Sequence, residues 1–310
     1  MNRFLKKLRA PVASVRDFFA EQKWALARAA AYAGIVVIFY IVFLWFLFPY
    51  HELVTKLSAD IKTRTGMDLT VQDAHGAFPL GLNLSGVVLT DRIGTQEVPI
   101  LEVRTVRIAP GILSLLRGWV SLNVSAQLYN GRIRIDAESN RKNFALAGVI
   151  KDIDIGRYSL IKSSYGLNMQ GILTAKLDMQ GPLNDVTKDS GKGLITMKQA
   201  HLNSSRIFGI FELPAINFGD INLPLFIKDG RLSFQNATQT STDISSKLEG
   251  SILLLNPISN SILNLRLRFN PSSTVEQQIK KAIPFFNLNR DTLGYFNVPI
   301  TGSVGMPNFQ

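Results

Sequence analysis

The sequence of 310 residues lacks cysteine and contains only three histidines. Without cysteine the chain cannot form disulfides, so any folded region must be stabilised by its own core. The histidines, His51, His75 and His201, stand far apart in the sequence, whereas a zinc site needs three or four ligands. We therefore predict neither a metal site nor a bound cofactor.

Motifs of catalysis are also missing from the sequence. It contains no G-x-x-x-x-G-K-[ST] phosphate loop and no G-x-S-x-G nucleophile elbow. Asp152 and Asp154 lie two residues apart, on one side of a predicted strand, as a general acid and a general base would. We interpret both as solvent-facing residues, and we predict that the chain is not an enzyme.

The net charge of +11 is of the kind found in nucleic-acid-binding proteins. Many of the cations lie in the first 28 residues, however, and the others alternate with acids along predicted strands without interleaved aromatic side chains. The sequence therefore predicts no nucleic-acid partner. A basic start is instead suited to the anionic surface of a membrane.

Charge is absent from residues 29–50, AAAYAGIVVIFYIVFLWFLFPY. A helix of about 20 apolar residues crosses the roughly 30 Å hydrocarbon core of a bilayer. A cleaved signal peptide would have a shorter apolar segment followed by small residues, whereas this segment ends in bulky side chains. We predict an uncleaved transmembrane helix over 29–50, with anchor residues that include Ala29, Gly34, Trp45 and Tyr50.

The charges that flank this segment predict its orientation. Lys and Arg are frequent in residues 1–28 and scarce immediately after residue 50. Because cytoplasmic flanks carry the excess of Lys and Arg, we predict a basic cytoplasmic tail over 1–28 and an exported C-terminal part. Ala30 and Gly34 form a small-xxx-small pattern, which leaves a homodimer through the span open.

Downstream of the span the period of the apolar residues changes. An amphipathic linker helix is predicted over 51–66, because one helical face would carry the apolar residues Leu53, Val54, Leu57 and Ile61. Over 67–310 apolar and polar residues alternate instead, as in LNVSAQL (122–128), LTAKLDM (173–179) and LNLRLRF (263–269). This period predicts antiparallel strands with one apolar and one polar face.

Local signals add turns and one helix to this pattern. Asn130-Gly131 and Asp229-Gly230 each lie between alternating segments and predict tight hairpin turns. A helix is predicted over 273–283, with Ser273 and Glu276 as a capping box and Pro284 as its stop. The apolar residues on one face of this helix are Val275, Ile279 and Ile283.

The sequence therefore predicts a mainly β fold, in which a single N-terminal transmembrane helix precedes an elongated antiparallel β domain with a few short helices, over 67–310. A sheet with one apolar face must cover that face, and few helices are available to do so. The sheet is expected to close as a sandwich or barrel, or to curl into a groove that accepts acyl chains or another protein's hydrophobic segment. The candidate residues for lining this groove are Leu82, Val124, Leu177 and Leu265.

Three segments carry a resemblance to known proteins: TGMDLTVQDAHGAFPLGLNLSGVVLTD (65–91), LEVRTVRIAPGILSLLRG (101–118) and LGYFNVPITGSVGMPNFQ (293–310). Together with the basic start and the single span, they resemble the type II secretion system protein N family of Gram-negative envelopes. With MQGPLND (179–185), they are also similar to the wider AsmA-like group, whose members carry an N-terminal anchor and β-repeats that form an apolar groove.

The first resemblance implies an inner-membrane protein with a periplasmic domain, which serves as an accessory of the apparatus that exports folded proteins across the outer membrane. Its implied partners are the membrane and other secretion-system proteins, and no catalytic residues belong to that role. The AsmA-like resemblance implies an alternative, a protein that binds or transfers phospholipid through its groove. The two expectations differ in the class of partner that the apolar face receives.

Overall fold

A computed structural model describes residues 27–309, apart from residues 30, 41, 44, 79–80, 94–95, 112–113, 115–116, 159–165, 208–210, 236, 256 and 283–289. The predicted tail over 1–28 therefore lies almost entirely outside the described residues, as do Ala30, Ile283 and Pro284 of the sequence predictions. The described chain forms two compact units, one of residues 27–49 with 76–78 and one of residues 50–75 with 81–309.

The first unit contains helix α1, Ala27–Leu47, which has a mean hydropathy of 2.4 and is long and apolar enough to cross a membrane. The helix ends three residues before the predicted end of the span. Pro49 explains this end, because proline disfavours the helical conformation of the residue before it, here Phe48. Tyr50, which the sequence analysis includes among the anchor residues, is the first residue of the next helix.

The second unit begins with helix α2, Tyr50–Thr65. Gly66 ends the helix with a φ of +78°, and its N–H donates to the Lys62 carbonyl over 2.9 Å. The hydroxyl of Ser58 donates to the Leu69 carbonyl over 2.8 Å, so the helix lies along the strand that follows it.

The apolar face of α2 is narrower than the sequence pattern predicts. Tyr50 and Val54, one turn apart, pack against the core of the sheet. Leu53 and Leu57, which were expected on the same face, are exposed. Contact with the sheet is therefore confined to the i, i+4 stripe that also carries Ser58.

Seventeen strands and one further helix, α3 at Ser273–Ala282, follow among the described residues. The strands are β1 Asp68–Gly76, β2 Leu82–Ile93, β3 Gln96–Pro110, β4 Val120–Leu128, β5 Gly131–Ser139, β6 Asn143–Asp154, β7 Met169–Pro182, β8 Ser190–Leu202, β9 Ser205–Ile207, β10 Phe211–Leu213, β11 Ile216–Lys228, β12 Arg231–Phe234, β13 Thr238–Thr240, β14 Ile244–Leu253, β15 Ile262–Pro271, β16 Phe296–Ser303 and β17 Met306–Phe309. Three short 3₁₀ turns, Ile155–Arg157, Val186–Lys188 and Ile258–Asn260, complete the elements.

Fifteen of these strands belong to one sheet. Its order follows the chain from β1 to β8, passes to β11, β12 and β14, and continues through β15 and β16 to β17, while β13 pairs with β11. Strands β9 and β10 form a separate two-stranded sheet. The prediction of a mainly β, antiparallel fold is confirmed. The described strands build it as one continuous sheet with β1 and β17 at its two edges.

The two predicted hairpin turns differ in their outcome. Asp229 and Gly230 have φ values of 51° and 65° and join the paired residues Lys228 and Arg231, which makes a type I′ turn at the predicted position. The other turn lies one residue earlier than predicted. Its two loop residues are Tyr129 and Asn130, with φ values of 47° and 64°.

Gly131 therefore belongs to β5, where it pairs with Leu128. A Cβ at this glycine would collide with the Lys151 carbonyl oxygen, so glycine is needed for close backbone approach rather than for the turn itself. The positive φ of Tyr129 is unusual for a bulky residue. Its hydroxyl accepts the Glu102 N–H over 3.1 Å, and its ring packs against Tyr158, which hold it there.

Helix α3 forms where predicted, but its cap is different. The Ser272 hydroxyl accepts the Val275 N–H over 3.4 Å, so Ser272 rather than Ser273 is the N-cap. Glu276 consequently lies beyond the capping position and instead binds Lys280 and Arg290 through its carboxylate. The predicted capping box is thus wrong by one residue.

Two clusters of buried side chains form the core. The first lies on β1 to β6 and includes Leu82, Leu84, Leu128 and Ile153, with Val54 of α2 packed against it. The members of the second are Leu202, Ile216, Val275 and Ile279, which join β8 and β11 to α3. Each amphipathic helix thus covers only a limited part of a sheet that extends over many strands.

Candidate functional site

One row of cross-strand partners passes through twelve strands of the large sheet and contains only apolar side chains and glycine. Each member is the direct pairing partner of the next, so all point to the same face of the sheet. We call this set the apolar row, and in order from β2 to β16 its members are Leu82, Ile108, Val124, Ile135, Gly148, Leu177, Gly193, Leu225, Phe234, Gly250, Leu265 and Ile300.

Two further rows of the same kind flank the apolar row on the same face, two residues away along each strand. One flanking row consists of Leu84, Val106, Ala126, Ile133, Ile150, Ala175, Ile195 and Leu223. The other consists of Pro110, Leu122, Ala137, Leu146, Met179, Gly191, Ile227, Leu232, Ile252 and Leu263. We call the surface with these three rows the apolar face and the opposite surface the polar face.

All four residues predicted to line a groove belong to the apolar row. Leu82 is buried, with 8% of its surface exposed, and is part of the first core cluster. Val124, Leu177 and Leu265 are half-buried, and among the described residues neither core cluster includes them. The structure therefore brings the four predicted positions into one line, of which three remain partly accessible.

Parts of the apolar face are markedly exposed. Leu122, in a flanking row, is 40% exposed, and Val120 at the start of the same strand is 62% exposed. Residues two apart along a strand are separated by about 7 Å, so the three rows together cover a band about 14 Å wide. That width suits a helix or one or two acyl chains.

The sequence could not reveal that the predicted strands align in this way. Alternation within each strand predicts which residues share a face of that strand. Alignment between strands depends on register, which the turns and bulges determine. Register shifts occur at several points, for example between Leu89 and Thr90 in β2 and between Ile150 and Ile153 in β6, yet the three apolar rows stay continuous beside them.

Among the described residues, the aspartates and histidines singled out in the sequence do not form a metal site. In the described part of the chain, no group of three or more His, Asp or Glu residues could hold a metal ion. Asp152 is a bulge residue with a φ of 55°, whereas Asp154 caps the following turn by accepting the Gly156 N–H over 3.0 Å. The two aspartates therefore have separate structural roles, and the absence of catalysis stays a prediction.

One histidine has a partner that the sequence analysis overlooked. Nδ1 of His75 lies 3.1 Å from Oδ2 of Asp73, and both side chains are exposed on β1. The signal was available, since residues two apart on a strand share a face. Nδ1 of His201 lies 2.9 Å from the Gln199 carbonyl oxygen, a local backbone contact. Neither arrangement supplies the ligands of a metal site.

Several groups with a shifted pKa lie outside the apolar face. Burial raises the pKa of Asp189, which is 3% exposed and whose Oδ1 has no hydrogen-bond partner, and the charge of Asp185 adds to the shift. Near α3, hydrogen bonds from Lys280 and Arg290 lower the pKa of Glu276. A backbone hydrogen bond from Tyr295 and the Arg268 guanidinium lower the pKa of Asp291. Asp189, Glu276 and Asp291 lie in separate parts of the described chain.

The candidate site in the described residues is therefore the apolar face, and these residues contain no group that could hold a metal ion. Its defining elements are the three apolar rows, of which the middle one includes every groove residue that the sequence predicted. Comparison with family models, characterised proteins and solved structures finds no match to this chain.

Proposed function

We propose that this chain is an inner-membrane-anchored accessory of the type II protein secretion system, and that its sheet is a periplasmic platform for binding other proteins of that system. The observation that carries the proposal is the apolar face. A hydrophobic surface that spans many strands and is left half-exposed is typical of a surface that receives a partner. The three segments that resemble protein N of the secretion system suggest which apparatus supplies the partner.

Helix α1 supports the membrane anchor in this proposal. It is long and apolar enough to span a bilayer, and the excess of Lys and Arg lies before it in the sequence. By the positive-inside rule the N-terminus is cytoplasmic and the sheet is periplasmic. An alkaline phosphatase fusion after Gln310 should therefore be active and a cytoplasmic reporter there silent. The opposite pair of results would contradict this orientation.

Export of folded proteins is the readout for the proposed role. Deletion of the gene should reduce the amount of secreted enzyme in the medium and leave it in the periplasm. Photo-crosslinkers at Val124, Leu177 and Leu265 should capture other secretion-system proteins. Normal export in the deletion strain, together with the absence of protein adducts, would contradict the proposal.

A phospholipid-binding role is the second candidate, and one observation favours it specifically. The apolar row is uninterrupted by any polar side chain over twelve strands, as the wall of a channel for acyl chains would be. A protein interface usually includes polar groups at its rim. Phospholipid recovered from crosslinks at Val124, Leu177 and Leu265, with export intact in the deletion strain, would select this function.

A further inference from the structure

The polar face of β5 and β7 carries an ordered charge pattern that the apolar face does not explain. Along β5 the residues on this face are Arg132, Arg134, Asp136 and Glu138, two cations followed by two anions. On β7 the same order recurs with Lys176 and Asp178. The row that contains Arg134 also contains Lys176, and the row that contains Asp136 also contains Asp178.

On β5 to β7 this pattern separates cations from anions along a single line, and the row of Asp136 and Asp178 continues on β8 with the cation Lys192. We call Arg132, Arg134, Lys151 and Lys176 the basic half, and Asp136, Glu138 and Asp178 the acidic half. In the basic half, Arg132 and Lys151 are direct cross-strand partners, an arrangement of like charges that destabilises a sheet. In the acidic half, Lys192 is the cross-strand partner of Asp178.

The charges of the two halves form no ion pairs with each other or with the rest of the described chain. Among the described residues, no member of either half lies within 4 Å of an opposite charge. Asp136 accepts a hydrogen bond of 2.5 Å from the neutral side chain of Asn123. The neighbouring opposite charges along each strand, such as Arg134 and Asp136, therefore do not neutralise each other by direct contact.

The acidic half is also concave. A cavity of about 700 Å³ is lined by three carboxylates, Asp136, Glu138 and Asp178, and by one cation, Lys192, with Ala145 and Ala147 among its other walls. The small alanine side chains leave space between the carboxylates that long basic side chains can enter. Phe226, which is 43% exposed, lies at the same cavity.

We propose that this face binds the same face of a second copy of the chain, with the basic half of each copy on the acidic half of the other. A twofold axis between the Arg134 and Asp136 rows, perpendicular to the strands, places Arg134 over Asp136, Arg132 over Glu138 and Lys176 over Asp178 of the partner. Each of these contacts occurs twice, as an isologous interface requires.

The same axis also matches one pair of apolar residues on this face, Phe226 and Pro224, and it places Leu194 over Lys192 of the partner. Leu194, which is 42% exposed, and Pro224 are partners in the row of Arg134, whereas Phe226 lies in the row of Asp136. The twofold operation brings Phe226 of one copy onto Pro224 of the other. The interface therefore combines an apolar contact with six complementary charge contacts.

The area of this face is sufficient for a specific dimer. Four rows across β4 to β8 alone, without β11, give about twenty positions of about 33 Å² each, which is about 650 Å² per copy and about 1,300 Å² in total. Stable specific interfaces begin near this size. Two copies that are anchored in one membrane also have a raised effective concentration, which favours association.

The test uses full-length chains with two different affinity tags, co-expressed and extracted from membranes, and measures the co-purified partner. Wild-type copies should co-purify.

Arg134→Glu should reduce recovery of its own second copy at least tenfold, because the introduced carboxylate then meets Asp136 of the partner at both symmetry-related contacts. Asp136→Arg should have the same effect, because two pairs of guanidinium groups then face each other. Lys281→Glu is the matched control, because it changes the net charge by the same amount as Arg134→Glu at an exposed position of α3. It should leave recovery unchanged.

The decisive sample combines the two variants. Co-expressed Arg134→Glu and Asp136→Arg copies restore both opposite-charge contacts and should co-purify within twofold of the wild type, which also shows that each variant is folded. Undiminished recovery of either single variant with itself would overturn the proposal. Loss of recovery in the mixed sample, or association through α1 that is indifferent to all of these changes, would overturn it as well.

Discussion

At the scale of single residues, Asp189 stands out because its carboxylate is buried and one of its oxygens accepts no hydrogen bond. It lies 3% exposed beside β8, with its Oδ1 unpartnered, and its pKa is raised by burial. A carboxylate in such a place destabilises the folded state when it is ionised. Asp185, four residues earlier, has the opposite environment, because Thr187 and Lys188 donate hydrogen bonds to it and lower its pKa.

Asp189→Asn should therefore stabilise the protein by about 1 kcal/mol at pH 7, because the neutral amide removes the buried charge. A raised folded-state pKa means that stability declines as pH rises from the unfolded-state value, about 3.9, through the folded-state value. The gain of the variant should thus be largest at neutral pH and vanish near pH 3. Chemical denaturation of the full chain in detergent micelles, followed by circular dichroism, measures both values.

Asp185→Asn is the matched control, and it should destabilise at pH 7 because it removes the charge that Thr187 and Lys188 stabilise. Its lowered pKa gives stability that is present above the unfolded-state pKa and is lost as pH falls. Destabilisation by Asp189→Asn at pH 7, or a gain that is independent of pH, would contradict the role assigned to burial.

At the scale of elements, neighbouring side chains of β15 point to opposite faces of the sheet and lie in different environments. Leu265 lies in the apolar row and is half-buried, whereas Arg266 points to the polar face and is exposed. The direct partners of Leu265 are Gly250 and Ile300, both on the apolar face. A charge placed at Leu265 would be desolvated among apolar neighbours, while a change at Arg266 would stay in water.

Leu265→Asp should consequently destabilise the second unit by about 2–3 kcal/mol, and Arg266→Ser should alter its stability by less than about 0.5 kcal/mol. The free energy of unfolding of each full-length variant gives the comparison. Equal effects at the two positions would show that the assignment of faces in β15 is wrong.

The sequence predicted the helices and strands better than it predicted the turns and caps at their ends. The period of two identified the strands and their faces, and Val275 and Ile279 identified the buried face of α3. The turn at Tyr129–Asn130 and the cap at Ser272 were each misplaced by one residue. Contacts outside the local sequence decided both positions. At the cap they selected between two adjacent serines, and at the turn they hold Tyr129 at a positive φ that is unusual for a bulky residue.

At the scale of the whole molecule, α1 and the sheet unit have surfaces that suit different solvents. The helix is apolar around its whole circumference, which suits lipid, whereas the sheet has one polar face that suits water. The sequence predicted this division from the uncharged segment alone. The continuity of the apolar row over twelve strands could not be predicted, since it depends on the registers of all the hairpins together.

Val37→Arg places a charge at the middle of α1, at a cost of about 2.5–3.5 kcal/mol for insertion. We expect less protein in carbonate-washed membranes and unchanged β content of the second unit by circular dichroism. Val37→Leu is the matched control and should insert like the wild type. Normal insertion of the arginine variant would argue against α1 as a membrane span.

The central claim is that the apolar face is the surface that receives a partner. Photo-crosslinking residues at Val124, Leu177 and Leu265, compared in intact cells with the same probe at Asn264 and Arg266 on the polar face, test it most directly. The account predicts abundant adducts, to protein or phospholipid, at the three apolar positions and several-fold fewer at the two polar ones. Equal labelling of both faces, or adducts confined to the polar face, would contradict it.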